Sequence, residues 1–406
     1  MALQRYEVAA GVFEMNRYAV IYIGQMFPNG IIRHFACLGV EIDKCAEGQP
    51  FDSYFASIDN DSQKGSWAVV KERIPDERII HAPTFGELIQ RIAELFDRYQ
   101  RVLVHSAGGR GMTLGIAPLK RQFGNRLIHV VTTHSYHIND WLRIPLSMFQ
   151  ACLYRRYADY VIFQCPLAAR RFVGHEWFFK HGKGGIIPLG VEPFPEKTDA
   201  VPVELKECTE LVSLLLNRNV CKIIYLAAFR PGKGHDWLIR ALAPYLRGRQ
   251  DVAVLLCGGD NESYQVKLRE LIRSEKVESQ ILMPGRIPRA AVPWALQHCD
   301  AAVVPSTAET FGHNFIEPMF AGLPVIGTRV GAGEYAIQDY CTGIGFSLKA
   351  PQTAAEAVRF IVEHREEAKQ MGAYAKSVAA VEFSHVSVAS GLVRLYGELL
   401  SQGEAI

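Results

Sequence analysis

A chain of 406 residues, 49% hydrophobic and 21% charged, is long enough for two cores and argues for two domains of roughly 200 residues each. Its 44 Lys and Arg against 42 Asp and Glu leave a formal charge of +2, which argues against a nucleic-acid partner, because phosphate-backbone binding needs a concentrated basic surface. Nine cysteines, never spaced C-x-x-C, support neither a disulfide framework nor a zinc site; with no run near the roughly 18–20 apolar residues of a membrane span and no signal core at the N-terminus, a cytoplasmic protein is expected.

Taken in chain order, short apolar runs from Tyr18 to Ile23, Val102 to His105, Leu127 to Thr132 and Tyr160 to Gln164 read as buried parallel strands. Longer amphipathic segments separate them, as in a doubly wound α/β domain. The stretch from Pro193 to Glu204 is rich in proline and charge and has no apolar period, so the domain boundary is expected near residue 195. The strand series then restarts: Lys222 to Ala227, Ala253 to Cys257, Gln280 to Met283, Ala301 to Val304 and Pro324 to Thr328. The expected fold is α/β with two Rossmann-like domains, 1–195 and 196–384.

The segment from Glu309 to Gly333 carries the most chemistry. It follows the strand AAVVP, turns at Gly312 and enters a helix at His313, Asn314 and Phe315. A strand, a glycine turn and a helix N-terminus together make an anion site, where free N–H groups and the helix dipole face a phosphate. Gly331 and Gly333 offer a second close backbone approach. Glu309 and Glu317 have seven residues between them; in one continuous helix they would stand about 12 Å apart, beyond the roughly 5 Å of a paired nucleophile and acid in a retaining glycosidase. Two readings stand. Either the pair touches two parts of one long ligand, or Glu309 is a solvated loop residue and Glu317 complements the helix dipole. Upstream, Arg230 and Lys233 share a strand-to-helix loop, where they either neutralise a diphosphate or form a solvent-facing basic turn.

Together these features resemble the E-x(7)-E signature of retaining GT-B glycosyltransferases, and of glycosyltransferase family 4 in particular. The likeness continues through AGLPVIGTRVGAGEYAI, which puts Glu334 at the family's trailing acidic position. It implies two Rossmann-like domains facing a central cleft, with a C-terminal helix at about 385–406 crossing back to the first domain. It also implies retaining transfer of a sugar from a UDP- or GDP-type donor to a sugar, lipid-linked or other hydroxyl acceptor, in glycan, glycolipid or glycoconjugate synthesis. By the same likeness Lys233 and Arg230 face the diphosphate, although Ala228 stands where the family has its arginine. Glu309 then acts on the sugar, and Glu317 on the nucleotide. Gly258 in VLLCGGD, and Arg286 and Ile287 in MPGRIP, fall where the family holds the nucleoside; Gly30 falls in its first loop, and His134 in its T-x-H element. Cys165 replaces a usual serine and Leu189 a frequent asparagine. Tyr136, Trp141 and the loop from His105 to Met112 are acceptor-side candidates.

Two rivals remain at this level: an epimerase using the same donor pocket, and a nucleotide-sugar-binding protein without transfer. Asp59-Asn60-Asp61 mimics the D-x-D clamp of GT-A enzymes but is ordinary turn chemistry, so no metal or other cofactor is expected. Arg143, Met148, Phe149, Leu153, Arg155 and Arg156 mix basic and apolar character, as an interfacial helix at the inner membrane face does; a core helix with a solvated face has the same composition.

Overall fold

The computed structural model describes residues 18–23, 38–42, 44–46, 51–58, 74–133 and 144–402. The candidates Gly30, His134, Tyr136, Trp141, Asp59, Asp61 and Arg143 lie outside them. The chain forms two compact units: residues 1–164, 169–190 and 385–406, and residues 165–168 and 191–384.

The first unit is built on β1 (Tyr18–Ile23), β2 (Phe51–Ile58), β3 (Ile79–Ala82), β4 (Arg101–Ala107), β5 (Leu127–Thr132), β6 (Tyr160–Phe163) and β7 (Gly184–Ile186). They make one parallel seven-stranded sheet in the order β3-β2-β1-β4-β5-β6-β7. Alternation along β1 shows how a wholly apolar strand serves both faces. Tyr18, Val20 and Tyr22 enter one core with residues of the helix His385–Ser401, whereas Ala19, Ile21 and Ile23 enter another with Leu88 and Ile92 of the helix Phe85–Glu94. β2 escapes sequence reading because Asp52 and Ser53 interrupt its apolar run, and β7 because it is a three-residue edge strand with two glycines.

The helix His385–Ser401 belongs to this first unit, as the resemblance implies. Its Tyr396 hydroxyl lies 2.7 Å from Nδ1 of His105, whose Nε2 lies 2.7 Å from the Thr132 hydroxyl. Arg101 donates to the backbone carbonyl of Leu399 at 3.3 Å and to that of Leu400. His105 is therefore a buried structural residue and is corrected as an acceptor-side candidate.

The second unit holds β8 (Cys221–Leu226), β9 (Val252–Cys257), β10 (Ile281–Gly285), β11 (Ala301–Val304), β12 (Val325–Gly327) and β13 (Gly343–Gly345). Their order is β10-β9-β8-β11-β12-β13, again parallel. The stretch after Pro193 is fastened to this unit. Phe194 packs 6.3 Å from Phe320, ring to ring, and Gln297 Nε2 donates to the Pro195 carbonyl at 2.7 Å. The units part at Gly190 and Val191, where the Val191 N–H donates to the Phe383 carbonyl at 2.7 Å.

Candidate functional site

β11 ends at Val304, and the chain runs through Ser306, Thr307 and Glu309 to Gly312 before the helix His313–Phe320 begins. Gly312 has φ +94°, a left-handed conformation that disfavours any side chain, and it leaves the helix without a side-chain cap. Beside it lies the loop after β8. The Thr307 N–H and hydroxyl both donate to the Gly232 carbonyl, at 3.0 and 2.9 Å, tying the two loops together.

Across that join Lys233 Nζ donates to Glu309 Oε1 at 2.6 Å, and the Ser306 hydroxyl donates to the same oxygen at 2.8 Å. Both anchors are themselves held. The Tyr225 hydroxyl donates to the Lys233 carbonyl at 2.8 Å and lies 3.2 Å from the Ser306 hydroxyl; the Thr328 hydroxyl donates to the Ser306 carbonyl at 2.7 Å. Burial, with the neighbouring Glu309 charge adding to it, holds the Tyr225 phenol far above its ordinary pKa and so neutral as a donor. Glu309 keeps only 11% of its side-chain surface and Lys233 29%. Glu309 is thus no solvated loop residue.

Glu317 sits one turn into the helix, 13% exposed, with Arg289 Nη2 3.3 Å from its Oε1. Arg289 follows β10 and is itself 64% exposed. Arg230 takes another partner, Asp260, at 2.9 Å, both groups lying well into solvent. The two cations of one loop therefore pair with different carboxylates. Behind the loop, His235 opens the helix His235–Leu246, fully buried between the rings of Tyr225 and Phe229 at 4.8 and 5.0 Å, with neither ring nitrogen hydrogen-bonded. Burial pulls its pKa down to about 4 against the opposing pull of Asp236.

Several sequence candidates change meaning. Phe315 is fully buried and packs against Gly327 and Gly333, so only its backbone is left for a ligand, and its N–H already donates to the Gly312 carbonyl at 3.0 Å. Ile287 sits in the core with Trp294 and Leu296, while Arg286 beside it is exposed. A Cβ on Gly258 would collide with the Ala227 carbonyl oxygen, and one on Gly331 with the Phe311 carbonyl oxygen and with Cβ of Glu309 at 2.8 Å. One on Gly333 would stand 2.6 Å from the Phe315 ring. These glycines admit the protein's own backbone and rings, the close backbone approach expected at Gly331 and Gly333. Asn314 Oδ1, by contrast, is buried at the helix start with no hydrogen-bond partner. Sequence reading missed Tyr225, Ser306, Thr307, Asp260 and Arg289; only the position of Ser306 and Thr307, straight after an apolar strand, hinted at them. Among the described residues no group of three or more His, Cys, Asp or Glu stands as a metal cluster.

Residues 210–378 match the family model described as glycosyl transferases group 1. The D-inositol 3-phosphate glycosyltransferase of Corynebacterium diphtheriae is 29% identical over 246 residues, 59% of this chain and 56% of that protein. Its counterpart in Segniliparus rotundus is 26% identical over 220 residues, 52% of this chain and 49% of that protein. The chain thus spans about half the length of these curated relatives. Over nearly the whole chain the fold matches Anabaena Alr3699/HepE in complex with UDP, with a TM-score of 0.73, 17% identity, and coverage of 94% of this chain and 99% of that one. A glycosyltransferase from Rickettsia africae ESF-5 matches with a TM-score of 0.72, 19% identity and coverage of 95% and 99%. The protein therefore has the GT-B fold and resembles glycosyltransferase family 4, with a glycosyl transferases group 1 segment at residues 210–378.

Proposed function

We propose that the protein is a retaining glycosyltransferase that moves a hexose-like group from a nucleoside diphosphate sugar to a sugar, lipid-linked or other hydroxyl acceptor, in glycan, glycolipid or glycoconjugate synthesis. The observation that carries this reading is the Lys233–Glu309 pair, seated by Ser306 at the end of β11 beside an uncapped helix start. An arriving diphosphate shares Lys233 with Glu309, since the ammonium group has three N–H donors. It gains the lysine charge, and the helix N-terminus at His313 and Asn314 adds its partial positive charge, so the leaving group is stabilised by dipoles already in place. Arg230 supplies a second cation from the same loop.

Glu309, seated by Lys233 and Ser306, accepts hydrogen bonds from the hydroxyls of the transferred sugar. Glu317 meets the ribose, with Arg289 at its side, and the backbone at Gly258, Arg286 and Ile287 meets the base. No protein nucleophile is needed: the acceptor hydroxyl attacks from the leaving-group face and passes its proton to a phosphate oxygen. Because the charge of the diphosphate is met by Lys233 and Arg230, the reaction proceeds without a metal. A cytoplasmic setting suits a chain whose described cysteines are all free thiols.

UDP is the first nucleotide to try, since it is what the Anabaena protein of like fold holds. Calorimetry with UDP and GDP, then product analysis with the matching sugar nucleotides and EDTA present, tests the proposal. Binding of neither nucleotide, or turnover lost to EDTA and restored by manganese, would overturn it.

A further inference from the structure

In the first unit the helices Arg110–Phe123 and Ile144–Tyr157 pack against each other. They carry five cations, Arg110, Lys120, Arg121, Arg155 and Arg156, and not one aspartate or glutamate, although Lys120 is paired at 2.6 Å with Asp159 just past the second helix. The whole chain is balanced at 44 basic against 42 acidic residues, so this is a local excess.

Exposure on the second helix follows the helical repeat. Ala151 and Tyr154 point into the core at 4% and 0%, while Leu146, Met148 and Phe149 are exposed at 45%, 53% and 50%. Phe149 and Arg156 stand two turns apart on one line, and Leu146 and Met148 flank it. Leu153, counted as interfacial from sequence, is buried at 8%, and Leu114 on the neighbouring helix is exposed at 46%. Three large apolar side chains within four residues, on a helix that ends in two exposed arginines, form the kind of cluster that marks a contact surface rather than scattered exposure.

The chemistry of the face selects its partner. A second copy of the chain would set Arg155 and Arg156 near like charges. A nucleic acid would use the arginines and leave Leu146 and Met148 in water. An anionic bilayer uses both: the apolar side chains enter the boundary below the headgroups, and the guanidinium groups meet the lipid phosphates. We propose that this face docks the protein peripherally on an anionic lipid surface. The inference goes beyond the transfer reaction and does not depend on it.

Co-sedimentation of the full chain with vesicles tests it, with no donor present. Vesicles of phosphatidylcholine and phosphatidylglycerol bind the protein at low salt and release it as salt screens the arginines, whereas vesicles of phosphatidylcholine alone bind it weakly. The double variant Met148→Ser, Phe149→Ser lowers the bound fraction at least several-fold with its melting temperature unchanged, because both side chains are exposed. Arg156→Gln lowers it about five-fold on the anionic vesicles only. Three results would overturn the inference: no sedimentation with either vesicle, undiminished binding of the double variant, or a lipid-free dimer that the double variant dissolves. Affinity for UDP, measured in solution on the same proteins, reports separately on the transferase reading.

Discussion

Glu309 and Glu317 belong to one segment and are almost equally buried, at 11% and 13%, yet they are held in opposite ways. Glu309 is fixed by Lys233 and Ser306, and each of those is fixed by a buried hydroxyl on another strand or loop. Glu317 has a longer contact, 3.3 Å, to an arginine that is itself 64% exposed. A carboxylate seated by the fold is preorganised, so it suits a contact that must be in place in the transition state. One paired with an exposed surface cation can exchange that partner for a ligand hydroxyl at little cost, which suits ground-state binding.

The largest effect should therefore come from Glu309→Gln. Turnover is expected to fall by about 100-fold or more, with the affinity for free nucleoside diphosphate within about two-fold of the parent, since a contact realised in the transition state appears in kcat. Steady-state rates paired with calorimetry read both, and a variant that loses nucleotide binding while keeping turnover at saturating donor would reverse the assignment of the two glutamates.

Lys233→Ala comes next. Loss of a charge-assisted contact costs on the order of 1 to 3 kcal/mol, so the dissociation constant of the diphosphate should rise about 5- to 150-fold, whereas Glu317→Gln should raise it less, about 5- to 10-fold, for donor and free nucleotide alike. Unchanged affinity in both variants would move the nucleotide elsewhere.

His235 sharpens the contrast through pH. Its folded pKa of about 4 lies below the ordinary 6.5, so between those values the unfolded chain binds more protons than the native one. The stability held by the neutral ring is complete above about 6.5 and is lost as pH falls toward 4, at up to about 1.4 kcal/mol per pH unit. His129 in the first unit, pulled down to about 4 by burial, adds the same slope. Melting temperatures at pH 7 and 5 should show the parent losing more than His235→Phe does; an equal loss would mean that the ring is already charged in the fold. The smallest effect is expected from Arg289→Ala, an exposed partner worth about 0.2–1 kcal/mol, read as a two- to five-fold change in donor KM with kcat unaltered.

What could be read from sequence was what short-range order controls. β1 and β11 are bounded correctly because each is an uninterrupted apolar run, and a strand covered on both faces needs nothing else; β5 is bounded correctly with one interruption, His129. The helix start at His313 was legible from the glycine turn before it, where Gly312 adopts a left-handed conformation. β7 and β13 were not legible: three residues bearing two glycines carry no apolar signal, and their strand character comes from the neighbour they pair with.

The same division runs through the candidate site. Sequence alone determined that a strand, a glycine turn and a helix stand in a row with a glutamate on either side of the helix start, because those are properties of adjacent residues. It also placed Lys233 in a strand-to-helix loop. Only the tertiary structure decided that Lys233 closes on Glu309 from 76 positions away, that Tyr225 and Thr328 lock the join, and that Phe315 and Ile287 turn inward. Parallel strand order brings the ends of β8 and β11 side by side, and that neighbourhood has no counterpart along the chain.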